Sequence, residues 1–273
     1  MNKSFITTAL LILCNTFHPT SVAYAESTYF KQTIGANFGY FFTTINNSAT
    51  FQSSITESNS PIDFEQDLGL NHKVNTFKAD VFWRITPKHR LDFTWFGLFQ
   101  DGKNITGEDY TIGDYIIPAG TGISSKFNHN RYQLNYTYNL FQGSNYEFGP
   151  SVGLYTLNVS TEIKPTLANE TVGTYVSNTF TLPLPVVGFR GSYGITDKLI
   201  ILSNFDFMVA SIGDWTGNLY SYQLGAEYNL LKYIGIGLAY NFSILNIKNR
   251  REYYKFRYDY QYHGVQTYLK FSF

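Results

Sequence analysis

The chain has very little cysteine, no excess of charge and no long apolar segment. One Cys among 273 residues excludes a disulfide framework and a cysteine-ligated zinc site. Twenty Lys and Arg balance 20 Asp and Glu, and this zero formal charge argues against a nucleic-acid binder, which needs a basic surface. Aromatic residues, by contrast, reach 18% of the chain, which excludes a disordered protein.

The first residues have the pattern of a secretory signal peptide. Lys3 supplies a positive start, residues 5–14 form a short apolar segment, and Ala23 and Ala25 flank a cleavage point. We therefore predict a signal peptide at 1–25 and one mature domain at 26–273. The mature domain contains no cysteine, which is typical of a bacterial envelope protein.

Apolar and polar side chains alternate with a period of two along most of the mature chain. Tyr220, Tyr222 and Leu224 share one face, whereas Gln223 and Glu227 share the other. The same alternation recurs in residues 76–85, 90–99 and 131–140. It predicts ten strands, at about 30–43, 74–85, 89–100, 123–140, 146–162, 177–195, 199–210, 219–231, 233–247 and 256–273.

The predicted connections differ in length at the two ends of the sheet. Those at 86–88, 141–145, 196–198 and around Lys232 are tight, and the others are longer, at 44–73, 101–122, 163–176, 211–218 and 248–255. Short turns alternating with long loops are typical of outer-membrane barrels. The predicted fold class is all-β, a transmembrane antiparallel up-and-down β-barrel of about ten strands, with eight or twelve as alternatives.

Three prolines fit this barrel poorly. Pro150, Pro183 and Pro185 fall inside predicted strands, where each removes a hydrogen-bond donor from the ladder. Closure into a barrel otherwise explains the composition, because only one face of each strand meets lipid. We expect the aromatic side chains mainly on that face and the balanced charges mainly in the interior and the loops.

The last predicted strand ends on an aromatic residue. This resembles the terminal strand by which the barrel assembly machinery recognises Gram-negative outer-membrane barrels. The predicted assembly signal is Val265, Leu269, Phe271 and Phe273.

Further segments are similar to a known set of proteins. Residues 67–70 (DLGL), 77–84 (FKADVFWR), 89–93 (HRLDF) and 182–189 (LPLPVVGF) resemble proteobacterial outer-membrane β-barrel proteins of unassigned function. The resemblance implies a barrel in the cell outer membrane. It implies no reaction and no catalytic residue.

Charged residues on the predicted inner face form the first candidate site. An eight-stranded barrel is filled by its side chains, whereas wide aqueous channels need about 16–18 strands. We therefore expect a self-neutralising network that fills the interior, with a narrow passive channel for small solutes as the sharper alternative. The network residues are Lys78, Asp80, Arg84, Arg90, Asp92, Arg131, Glu147, Arg190, Asp206, Glu227 and Lys270.

An outer-membrane hydrolase that cleaves lipid A acyl chains or peptide bonds at the rim is the competing function. His129 lies near Ser124 and Ser125 in the sequence, and His263 lies in the last strand. A catalytic dyad needs hydrogen-bond contact and an orienting acid, which a sequence does not show. We predict no enzyme, no catalytic residue, no cofactor and no metal.

Basic residues around the last predicted loop form a third candidate site. Such side chains pair with phosphate, so a lipopolysaccharide-binding or adhesive barrel is a further alternative. The predicted partners are outer-membrane lipids, lipopolysaccharide and the barrel assembly machinery, with no nucleic acid, and the barrel is predicted to be a monomer. The basic residues are Lys248, Arg250, Arg251, Lys255 and Arg257.

Overall fold

Ten long antiparallel strands close into one barrel in the computed structural model, as predicted. The structure describes residues 28–53, 61–112, 115–167, 170–171, 176–251 and 254–273, so the predicted signal peptide at 1–25 lies outside the described residues. Each strand pairs with its neighbours in the sequence, and the first pairs with the last. The strands are β1 (Ile34–Ser53), β2 (Lys73–Thr86), β3 (His89–Ile105), β4 (Gly122–Tyr138), β5 (Tyr146–Leu167), β6 (Val176–Gly194), β7 (Leu199–Ile212), β8 (Trp215–Asn229), β9 (Ile234–Arg251) and β10 (Tyr254–Ser272).

Short elements accompany the barrel strands. A 3₁₀ helix, Thr28–Lys31, precedes β1. Within the described part of the chain, no helix is long and apolar enough to span a membrane. The short strands are Pro61–Asp63, Tyr110–Ile112, Tyr115–Ile117, Phe141–Gln142 and Glu170–Thr171.

The two ends of the barrel differ, as the connection lengths predict. At the turn end, where β1 begins and β10 ends, the connections are 87–88, 139–145, 195–198 and 230–233. At the loop end, the connections 54–72, 106–121 and 168–175 are long. The prediction of longer loops at 211–218 and 248–255 is wrong, because β7 pairs with β8 up to Ile212 opposite Trp215, and β9 pairs with β10 up to Arg251 opposite Tyr254. Gly213, at a φ of 58°, lets the chain reverse at once.

Side chains alternate between the inside and the outside of the wall. On β2, Phe77 and Trp83 are exposed on the outer face, whereas Lys78 and Arg84 are buried inside. Since the strands pair around the whole ring in the turn-end part of the barrel, that part of the wall can meet lipid without an open sheet edge. The outward apolar band includes Val81, Phe93, Leu134, Val152, Leu154, Val187, Leu224, Ile236, Leu238, Val265 and Leu269.

The loop-end half of the interior is apolar, which the sequence did not predict. Residues 61–72 fold back onto the barrel and bury Phe64 and Leu68 among the inward side chains. The predicted outer loop at 44–73 therefore has two roles. Residues 44–53 belong to β1 and form part of the barrel wall, and residues 61–72 help to fill the interior. The cluster includes Phe41, Ile45, Phe96, Leu98, Phe127, Tyr155, Leu157, Tyr258, Tyr260 and Tyr262.

The wall has two seams, which are places where neighbouring strands stop pairing before they end. β6 and β7 pair only between residues 187–194 and 200–207, although β6 begins at Val176 and β7 continues to Ile212. β2 and β3 pair only up to Lys78 opposite Phe96. Residues 66–71 cover this second seam, for example where the Asn71 amide donates to the Asp101 carbonyl.

A missing neighbouring strand on one side explains the prolines inside strands. Pro183 and Pro185 lie in the part of β6 that pairs with β5 and has no register partner on β7. Pro150 lies one residue beyond the last pair between β4 and β5, which is Thr137 opposite Ser151. A proline is tolerated where a strand has a neighbour on one side only, because no ladder bond is then lost.

Candidate functional site

Glu147 holds the turn end of the interior together. Arg84 donates to both of its carboxylate oxygens, at 3.0 and 2.8 Å, and Arg90 donates to it at 3.3 Å. Asn139 adds a fourth hydrogen bond at 3.0 Å. Arg90 also pairs with Asp92 at 2.8 Å. Two guanidinium groups therefore share the buried Glu147 carboxylate, and Glu147 and Asp92 together balance their two charges.

The segment before β1 closes this end of the barrel. The sequence predicted a strand from about residue 30, but β1 starts at Ile34, and the preceding 3₁₀ helix buries Tyr29 inside the barrel. Lys270 lies 4.0 Å from the centre of the Tyr29 ring and 2.6 Å from Glu227. Arg84 donates to the carbonyl oxygens of Tyr29, Phe30 and Gln32.

Asp206 organises the middle of the interior. Arg190 pairs with it at 3.1 Å. The hydroxyl of Tyr155 donates to it at 2.6 Å, and the amide of Asn135 donates at 3.2 Å. Both carboxylate oxygens thus have donors, which is what a buried carboxylate requires.

Asp80 is the fifth carboxylate of the interior network, and it pairs with Lys78. Their charged atoms are 3.7 Å apart, and Lys78 also donates to the side-chain oxygens of Asn241 and Gln266 at 3.1 Å each. Asp80 accepts a hydrogen bond from Thr94 at 2.7 Å.

A small cavity remains between these pairs. Its volume is about 100 Å³, and ten of the eleven predicted network residues line it, all except Arg84. Arg84 joins them through Glu147. The structure therefore brings the eleven residues into one connected region of the interior.

An aromatic layer separates the cavity from the loop end. Tyr258, Tyr260 and Tyr262 project inward from alternate positions of β10, and the Phe96 ring centre lies 5.6 Å from that of Tyr262. The sequence expectation placed aromatic residues mainly on the lipid side and missed this layer. The sequence did contain a signal for this layer. From Val265 onward the odd-numbered residues face outward, so alternation along the strand places the even-numbered tyrosines on the inner face.

The back-folded residues 61–72 are fastened to the wall through Glu65. Its carboxylate accepts hydrogen bonds from the Asn47 N–H at 2.9 Å and from Gln100 at 3.4 Å. Burial raises the pKa of the Glu65 carboxyl, and the two hydrogen bonds reduce this shift without cancelling it.

The raised pKa of Glu65 makes the stability of the protein depend on pH. The docked carboxyl binds a proton more readily than it does in the unfolded chain, whose pKa is near 4.5. The favourable contribution of Glu65 to the free energy of unfolding is complete below the unfolded-state pKa. This contribution is lost as the pH rises through the folded-state pKa. We expect Glu65→Gln, which keeps an acceptor for Asn47, to match the wild type in acid and to exceed its urea midpoint at neutral pH. Parallel pH profiles of the two proteins would contradict this assignment.

The histidines do not form a hydrolytic dyad in the described part of the chain. His129 is buried with its ring 4.5 Å from that of Tyr260, and neither ring nitrogen has a hydrogen-bond partner. His72 contacts the Ile45 carbonyl. No described Ser hydroxyl bonds to a His, and the described residues hold no group of His, Cys, Asp and Glu suited to a metal ion.

The predicted lipopolysaccharide site is only partly described. The side chains of Arg250 and Arg251 lie outside the described part, Lys255 is exposed, and Lys248 is half-buried opposite Arg257. Arg257 is already paired with Asp259 at 2.5 Å. The residues of the predicted assembly signal all point outward at the turn-end part of β10: Val265, Leu269, Phe271 and Phe273.

The fold is that of Gram-negative outer-membrane β-barrels. The barrel matches the outer membrane protease OmpT from Escherichia coli with a TM-score of 0.53 at 11% identity, over 88% of this chain and 97% of that chain. OprG from Pseudomonas aeruginosa matches with a TM-score of 0.35 at 11% identity, over 88% of this chain and 97% of that chain. No family model and no curated protein matches the sequence. The likeness to OmpT concerns the fold, and it transfers no catalytic residue to this chain.

Proposed function

We propose that the chain is an integral outer-membrane protein whose barrel is structural and surface-exposed, and that it does not conduct solutes. The outward apolar band supports lipid as the surrounding medium. The outward side chains of β10 support insertion by the barrel assembly machinery. The pairing of β1 with β10 closes the ring within one chain, which supports a monomer.

The filled interior is the observation that carries this proposal. The 3₁₀ helix Thr28–Lys31 lies across the turn end, followed by the ion pairs, the aromatic layer and the back-folded residues 61–72. A barrel of this size lies near the limit at which side chains fill the interior. The charged residues thus stabilise the wall from inside. This filling argues against a passive channel, because the described part of the interior leaves small solutes no continuous route from one end of the barrel to the other.

Planar-bilayer recording tests the proposal. We expect refolded protein to insert into the bilayer and to give no reproducible conductance steps, because residues 28–32 close the turn end and buried aromatic and aliphatic side chains fill the loop-end half of the interior. An open porin in the same bilayer provides the positive control. Steps of uniform size that scale with the amount of inserted protein would contradict a non-conducting barrel.

A further inference from the structure

The charges of the eleven-residue network at and below the aromatic layer do not cancel completely. Each of the five carboxylates has a cation within 4.0 Å: Asp80 has Lys78, Asp92 has Arg90, Glu147 has Arg84 and Arg90, Asp206 has Arg190, and Glu227 has Lys270. Among the described network residues, Arg131 is the sixth cation, and it has no carboxylate within that distance. The network therefore carries one formal positive charge in excess.

Arg131 is deeply buried and all of its hydrogen-bond partners are uncharged. Its side chain is 2% exposed. Its guanidinium group donates to Tyr262, and to Gln133 and Ser221 at the long distances of 3.3 and 3.4 Å. Its carbon lies 3.9 Å from the centre of the Tyr155 ring. An aromatic face offsets part of a buried charge, but desolvating a cation without a counter-charge remains costly.

The cavity beside Arg131 presents unused donors. The Nε atoms of Arg131 and Arg190 and the amide nitrogen of Asn241 are buried and have no hydrogen-bond partner, and all three residues line the cavity. Lys78 lies in the same register row as Arg131, with Phe96 between them. The wall of the cavity thus combines a buried cation that has no carboxylate within 4.0 Å with several free N–H groups.

We propose that this cavity binds one small monovalent anion of the size of chloride, next to Arg131. One negative charge neutralises the surplus, whereas a divalent anion would reverse it. The volume of about 100 Å³ accommodates a halide with a few water molecules. The free N–H groups of Arg131, Arg190 and Asn241 supply the donors that such an anion needs. The anion would complete the interior as an internal counter-ion.

Urea unfolding in three sodium salts tests the site. Refolded protein in nonionic detergent is unfolded at equal ionic strength in sodium chloride, in sodium bromide and in sodium gluconate, whose anion is too large for the cavity. An anion that binds only the folded state lowers the unfolded-to-folded ratio by about a hundredfold at 100 times its dissociation constant. We expect a rise in the urea midpoint that saturates with chloride and bromide and is absent in gluconate. Equal midpoints in all three salts would overturn the proposal.

Arg131→Gln separates the site from general salt effects. This variant removes the surplus charge and keeps hydrogen-bonding groups, so the halide-dependent rise should disappear. Arg257→Gln removes an exposed arginine at the loop end and should retain it. A halide effect that persists in Arg131→Gln would refute the proposed site.

Anomalous diffraction from wild-type crystals grown in bromide gives a readout that does not depend on the variant refolding. We expect a bromide peak in the cavity beside Arg131, and an anomalous map without such a peak would refute the site.

Discussion

Glu147→Ala is expected to destabilise the barrel by about 3–5 kcal/mol, because it leaves buried positive charge without its partner. Arg84 loses both of its carboxylate contacts, and Arg90 keeps only Asp92. The loss also frees the guanidinium group that fastens residues 28–32 across the turn end. The urea midpoint of the refolded protein in detergent measures the effect.

Glu162→Ala is the matched control for Glu147→Ala. Glu162 also lies on β5 and also pairs with a cation, Lys164, but at the surface near the loop end. Water replaces such a partner at little cost. We expect its midpoint to match the wild type. Equal destabilisation by the two substitutions would show that the interior pairs contribute no more than surface pairs.

Leu238→Arg is expected to cost about 2–4 kcal/mol of folding free energy in lipid vesicles, because it places a charge near the middle of the bilayer. Leu238 is exposed on the outer face of β9, four residues after the strand starts at the turn end. Its outward neighbours Ile236 and Tyr240 are apolar or aromatic. Folding yield and urea midpoint in vesicles report the loss.

Val209→Arg controls for the charge itself. Val209 is also exposed on the outer face, but it lies three residues before β7 ends at the loop end. An arginine near the membrane interface costs only about 0–1 kcal/mol. Similar losses of folding free energy for Leu238→Arg and Val209→Arg would contradict the assignment of Leu238 to the bilayer centre and of Val209 to the interface.

The sequence was sufficient for the wall, because period two assigns each side chain of a strand to one face. The alternation predicted ten strands. It also predicted which side chains of β2 face outward and which face inward, as with Phe77 outside and Lys78 inside. The turn at Gly213 and Asp214 was also readable, since a Gly-Asp pair between alternating segments is a hairpin signal.

The filling of the interior was not predictable in the same way. Ion pairs such as Arg84 with Glu147 join strands that are far apart in the sequence, and alternation gives the face of a residue but not its partner. The docking of residues 61–72 depends on Phe64 and Leu68 meeting side chains from several strands. No local pattern distinguishes such a segment from a solvated loop.

The two seams divide the loop end of the barrel into two lobes. One lobe consists of β3–β6, and the other consists of β7–β10 with β1 and β2. The strands of the two lobes remain paired at the turn end. The lobes can therefore move slightly apart at the loop end without breaking a strand pair. Contacts such as that of Asn71 tie the lobes across the β2–β3 seam, and contacts such as Arg131 with Tyr262 and Phe64 with Phe127 tie them across the interior. We therefore expect the β6–β7 seam to open more readily than the β2–β3 seam.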